Sequence, residues 1–250
     1  MAPITQLILD VDTGTDDAVA LMFAALHPQL RLVATTCVAG NVALPNVVEN
    51  TLRIFDFIGC HDVPVFAGCE QPLARISLPN DDDPGQTAKI HGDYLDVPQA
   101  TSTRQLQHAV QFLLDFYDSG APGCWLNQQR RLRNKNPNIS SRQTLNLARP
   151  CYGRILTRLW LAVCAGPVAG KDTVLVAVGP LTNLATALKL RPALASQIPR
   201  LVIMGGGHGV SNTTPSAEFN FWADPEAASV VMSCGCADIT LVPLVTLLYA

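Results

Sequence analysis

The chain has 250 residues, 48% of them hydrophobic and 15% charged, and a net charge of −3 at pH 7. That balance excludes a disordered chain and leaves room for one large core. The slight negative charge gives no electrostatic reason to expect nucleic acid or an acidic membrane as the partner. A single domain over residues 1–250 is the expectation.

Near the start, an apolar run at residues 7–9 reads as a buried strand, and an Ala-rich segment from Ala18 reads as a helix. Between them lie Asp10, Asp12, Asp16 and Asp17. Two apart on a strand, Asp10 and Asp12 point to one face. Gly14 permits a sharp turn, and Thr13 and Thr15 can bond nearby main-chain groups. Asp16 and Asp17 suit a helix start, where the dipole tolerates negative charge. Capping accounts for that pair and leaves Asp10 and Asp12 unexplained. Hard oxygen ligands with no Cys or His among them suit Ca²⁺ or Mg²⁺ better than zinc or copper. The carboxyl edge of a parallel strand is also where open α/β folds bind ligands.

The first strand has no basic leader and no later run is long enough to be a membrane span, so a cytoplasmic protein without membrane association is expected. The eight cysteines show no paired zinc spacing and are expected to be reduced, with Cys234-Gly235-Cys236 a turn.

Further along, residues 30–39 read as a second strand ending in Gly40-Asn41, residues 47–58 as a helix, and residues 63–67 as a short strand. This alternation predicts an α/β fold with an open, mostly parallel sheet and helices on both faces. Residues 77–103 read as a loop, with Asp81, Asp82 and Asp83 in a solvated turn before His91-Gly92-Asp93. Residues 104–117 have helical spacing. From Ser119 to Lys171 there is no acidic residue, while Arg130, Arg131, Arg133, Lys135, Arg142, Arg149, Arg154 and Arg158 accumulate. A basic tract can bind RNA, but this one lacks interleaved aromatic spacing and interrupts a helix-to-strand connection. Residues 121–170 are therefore expected to be an insertion foreign to the core.

Residues 174–178 read as a strand, 184–190 as a helix and 201–204 as a strand opening into Gly205-Gly206-Gly207, whose spacing matches no phosphate loop. Asp224-Pro225-Glu226 reads as a helix start and residues 239–244 as a last strand.

With these residues in view, the chain resembles the inosine-uridine preferring nucleoside hydrolases. The resemblance rests on LDVDTGTDDAVAL at the start, VAGN ending at Asn41, VPVFAG from Val63, VGPLTNLA from Val178, MGG from Met204 and AEFNFWADPEAA from Ala217. It implies a Ca²⁺-dependent N-ribohydrolase that releases free base and ribose from a ribonucleoside, acting in purine and pyrimidine salvage as a homodimer or homotetramer. By motif match, Asp12 would meet the metal and its water as general base, Asp17 would hold Ca²⁺, and Val178 would offer its main-chain carbonyl. Asp16, Asn41, Glu218 and Asn220 would bind the ribose, with Met204 nearby, His91 in a loop near the base and Asp10 as a supporting carboxylate.

Three departures accompany the match. Asp93-Tyr94-Leu95-Asp96 stands where the family carries glycines, the basic tract is additional, and the chain ends at Ala250 before the family's His-Asp pair. The expectation is a C-terminally incomplete domain. Two other readings stay open: a family member that binds nucleosides or a partner without turnover, and a Mg²⁺-dependent haloacid-dehalogenase-like phosphatase, whose DxDx(T/V) motif has no place for Asp16-Asp17.

Overall fold

Leu7, Ile8 and Leu9 are fully buried in β1 (Thr5–Val11), a central strand in a computed structural model that describes residues 4–75, 92–118 and 173–244. Residues 121–170, His91 and the Asp81-Asp82-Asp83 turn lie outside the described residues. The strand continues into α1 (Thr15–Leu26), β2 (Leu30–Cys37), α2 (Leu44–Phe57) and β3 (Val65–Ala67). Then come α3 (Ala109–Asp118), β4 (Thr173–Ala177), α4 (Thr182–Leu190), α5 (Leu194–Gln197) and β5 (Leu201–Met204). Two helices, α6 (Phe219–Ala223) and α7 (Pro225–Met232), precede β6 (Ile239–Val242).

The described strands form one sheet in the order β3-β2-β1-β4-β5-β6, every neighbouring pair parallel. Alternate side chains of β1 serve opposite faces: Leu7, Leu9 and Val11 pack with α1 and α2, while Ile8 packs with α3, α4, α5 and α7. A strand covered on both sides must be apolar almost throughout, which explains the continuous run read from the sequence. The chain winds outward from β1 through β2 and β3, then returns to start again at β4. The gap between β1 and β4 is the switch point where such sheets bind ligands.

Element ends moved for local reasons. The helix expected from residue 104 starts at Ala109, because Gln105 lies extended against β3 and donates its N–H to the Val65 carbonyl at 2.8 Å. Pro45 in the first turn starts α2 before the expected residue 47. The three glycines after β5 make space: a Cβ at Gly205 would lie 2.7 Å from the Phe221 ring, and Gly206 has φ +75°. Cys234-Gly235-Cys236 is a turn, and all five cysteines among the described residues are free thiols. No described helix is long and apolar enough to cross a membrane.

One buried side chain ties the carboxyl edge together. Asn183, at the start of α4, donates to Asp10 Oδ1 at 2.9 Å and to the Cys37 carbonyl at 3.0 Å, and accepts from the Cys69 N–H at 2.8 Å. It thereby joins β1, the end of β2 and the turn after β3. Gly68 is small because any Cβ there would overlap Asn183 Oδ1, at 2.1 Å. Losing a buried partner costs about 1–3 kcal/mol per stranded group. Asn183→Ala is therefore expected to lower unfolding free energy by roughly 3 kcal/mol or more in urea melts; a change within about 0.5 kcal/mol would show that these contacts are not holding the edge.

Candidate functional site

β1 ends at Val11, so Asp12 stands just past the strand and Asp16 and Asp17 occupy the first turn of α1. Asp12 is 1% exposed and Asp17 3% exposed, while Asp16 is half-buried. Space for Asp12 comes from two glycines on either side of β1. A Cβ at Gly40, after β2, would lie 2.2 Å from Asp12 Oδ2, and one at Gly179, after β4, would lie 2.8 Å from Asp12 Oδ1. The carboxylate thus fills the switch point itself.

Main-chain and amide N–H groups meet part of this charge. The Asn41 N–H donates to Asp12 Oδ2 at 2.8 Å, and its side-chain amide reaches Asp17 Oδ2 at 3.4 Å. Gly14 N–H donates to Asp17 Oδ2 at 3.0 Å, the reach-back half of a capping box. Capping thus accounts for one oxygen of Asp17. It leaves Asp17 Oδ1, Asp16 Oδ1 and Asp10 Oδ2 buried with no hydrogen-bond partner among the described residues.

The second half of the cluster comes from beyond β5. Glu218 caps α6, accepting from Asn220 N–H at 3.0 Å and Phe221 N–H at 3.3 Å, and also from Gly206 N–H at 2.8 Å. The Asn220 amide donates to the Val178 carbonyl at 2.7 Å and also contacts the Met204 carbonyl at 3.2 Å and Met204 Sδ at 3.3 Å. Val178, Met204, Glu218 and Asn220 are therefore one connected group beside Asp12. Asp10 stands slightly apart, held through Oδ1 by Thr36 and Asn183.

Burial first, and like charge second, pushes these acids up. Asp12 is raised well above the usual carboxylate range by burial, with repulsion from Asp16 and Glu218 adding to it. Asp17 is raised the same way, with Asp12 and Asp16 as its repelling neighbours. Burial also raises Glu218, and Asp16 contributes. Among the described residues no ion pair reaches Asp12, Asp16, Asp17 or Glu218. Acids buried at this density are relieved either by protonation or by a bound cation.

The donors fit a hard divalent ion. Asp12 and Asp17 supply carboxylate oxygens, and the Val178 carbonyl keeps a second lone pair beside its bond to Asn220. No group of three His, Cys, Asp or Glu side chains among the described residues is already gathered for a metal. Two carboxylates and one main-chain oxygen fall outside that kind of grouping.

Of the residues singled out from the sequence, Asp10, Asp12, Asp16, Asp17, Asn41, Val178, Met204, Glu218 and Asn220 all lie at or just past the carboxyl edge. His91 lies outside the described residues. Gly40, Gly179 and Asn183 have no role legible from the sequence, although all three lie inside the motifs that carry the family resemblance. A glycine next to a strand end was the available signal.

The model of the family described as inosine-uridine preferring nucleoside hydrolase matches residues 7–248. The pyrimidine-specific ribonucleoside hydrolase RihB of Escherichia coli O157:H7 (strain EC4115 / EHEC) is 36% identical over 234 residues, covering 92% of this chain and 56% of that protein. RihB of Escherichia coli (strain SE11) is 34% identical over 232 residues, with the same coverage. Among solved structures, a purine-preferring ribonucleoside hydrolase from Gardnerella vaginalis superposes with a TM-score of 0.67 at 28% identity, over 96% of this chain and 61% of that one. The plant nucleoside hydrolase PpNRh1 gives a TM-score of 0.66 at 26% identity, over 97% and 60%. The chain spans 56% of the length of the curated relatives it matches.

Two measurements check this geometry. Burial pushes the Asp10 carboxyl up from 3.8 to about 6, against the hydrogen bonds from Thr36 and Asn183. A pKa raised on folding gives stability that is complete below the unfolded value and lost as pH rises through the folded one. In EDTA, wild type should lose about 3 kcal/mol relative to Asp10→Asn between about pH 4 and pH 7.5, and parallel curves would refute the shift. Gly40→Ala should cost about 1–3 kcal/mol by overpacking against Asp12, read as a drop in melting temperature.

Proposed function

Because the chain belongs to the inosine-uridine preferring nucleoside hydrolase family, we propose that it hydrolyses the N-glycosidic bond of ribonucleosides to free base and ribose, with Ca²⁺ held by Asp12, Asp17 and the Val178 carbonyl. The observation that carries this reading is the buried set of carboxylates at the switch point, which no cationic side chain among the described residues neutralises. When bound, the ion supplies positive charge that makes a nearby water easier to deprotonate.

Asp12 takes the proton of the attacking water. The Asn41 N–H and the two flanking glycines fix its position for that transfer. As the base departs, positive charge develops on the sugar. Asp16 and Glu218 then place negative charge close to it, and the Asn41 and Asn220 amides orient the hydroxyls. Asp16 suits that part because one of its oxygens is buried without a protein partner. Met204 packs beside Asn220 at that wall.

The relatives named above divide between pyrimidine-specific and purine-preferring enzymes, so both uridine and inosine are the substrates to assay. Family membership removes the phosphatase reading. The expected outcome is base release by wild type in Ca²⁺ that falls about 10²–10⁴-fold in Asp12→Ala. Nucleoside uptake without base release would instead support a binding protein, and turnover unchanged in Asp12→Ala would remove Asp12 from the chemistry.

A further inference from the structure

Helix α2 carries a polar residue where its amphipathic pattern calls for an apolar one. Asn50 is 1% exposed, beside the buried Val47, Leu52 and Ile54. A buried amide is costly unless its hydrogen bonds are met, and Asn50 meets them with partners outside its own helix. Its Oδ1 accepts from the Leu95 N–H at 3.0 Å, and its Nδ2 donates to the Asp93 carbonyl at 3.4 Å and to the Thr13 carbonyl at 3.3 Å. Toward Asp93 and Leu95 it behaves as a neighbouring strand would, taking an N–H and giving one to a carbonyl two residues away. Toward Thr13 it grips the main chain next to Asp12.

The neighbouring residue repeats the grip. Thr51 Oγ1 lies 2.6 Å from Thr13 Oγ1, so consecutive residues of α2 hold the carbonyl and the hydroxyl of one threonine. Residues 92–102 form no helix or strand and depend on α2 for their position. Arg53 lies 4.7 Å from the centre of the Tyr94 ring and 3.5 Å from the Leu95 and Val97 carbonyls. Glu49 accepts from Ala100 N–H at 3.2 Å, and Asp56 accepts from Thr101 N–H at 2.6 Å and Ser102 N–H at 3.0 Å. These outer anchors do not touch the aspartate turn. Asn50 hydrogen-bonds to both.

We propose that Asn50 is a positioning residue that locks the Asp93-Tyr94-Leu95 segment to the aspartate turn, so that Asp12 keeps its working position only while this segment is docked. The consequence for turnover rests on the hydrolase reading above; the mechanical coupling does not. A local displacement of a reacting group is enough to cost large factors in rate.

The test compares Asn50→Ala with Asp56→Ala by amide hydrogen exchange and by kcat/KM for uridine and inosine in Ca²⁺. Asn50→Ala is expected to speed exchange at the Gly14 amide, whose own partner Asp17 is untouched, and to lower kcat/KM about tenfold or more. Asp56→Ala is expected to loosen Thr101 and Ser102 while Gly14 and kcat/KM stay as in wild type. Faster exchange at Leu95 alone, with Gly14 and kcat/KM unchanged in Asn50→Ala, would overturn the proposal. If Asn50→Ala does not fold, urea-dependent exchange of wild type decides it: Gly14 and Leu95 opening as one unit supports the coupling, and separate openings contradict it. Should wild type release no base, the hydrolase reading fails by itself, and the Gly14 comparison still decides the coupling.

Discussion

Uncompensated negative charge, buried where β1 meets α1, is the constraint on which the rest of the structure turns. Asp12 and Asp17 are almost inaccessible, Asp16 repels both and Glu218 repels Asp12, and no lysine or arginine among the described residues pairs with any of the four. A fold does not keep such a cluster for its own stability. Neighbouring elements accommodate it: Gly40 and Gly179 stand back from Asp12, while the Asn41 N–H turns to Asp12 and the Gly14 N–H to Asp17. That unmet charge is what the proposed cation and ribose hydroxyls would complete.

Holding that cluster in place falls to neutral amides. Asn183 binds Asp10 to the ends of two other strands, Asn220 joins the Val178 carbonyl to Met204, Asn41 spans Asp12 and Asp17, and Asn50 reaches Thr13 from α2. An amide suits this work because it can give and accept at once without adding charge. Lysine or arginine in those positions would neutralise the carboxylates and leave nothing for a ligand to do.

Strands and helices were legible because this sheet is buried on both faces, so each central strand declares itself as an apolar run, and the aspartate motif is dense enough to be seen in one stretch. Boundaries were less legible. Gln105 pairs with β3 across a distance in sequence that no local pattern reveals, and α6 is only five residues long, begun by a Glu218 side chain that also reads as a binding residue. The amide network was hidden for the same reason: Asn183 meets Asp10 across 173 positions and Asn50 meets Leu95 across 45. Neither asparagine has a periodic partner, and each shows its role only when the strands are side by side. The glycines were visible but mute, since a Gly after a strand is as common in a plain turn as beside a carboxylate.

Calorimetric titration of Ca²⁺ into metal-free protein decides whether the acidic cluster holds a divalent cation. Uptake of one ion per chain is expected, abolished in Asp17→Asn, which keeps an oxygen but loses the charge. Absence of uptake, or uptake unchanged in Asp17→Asn, would contradict it.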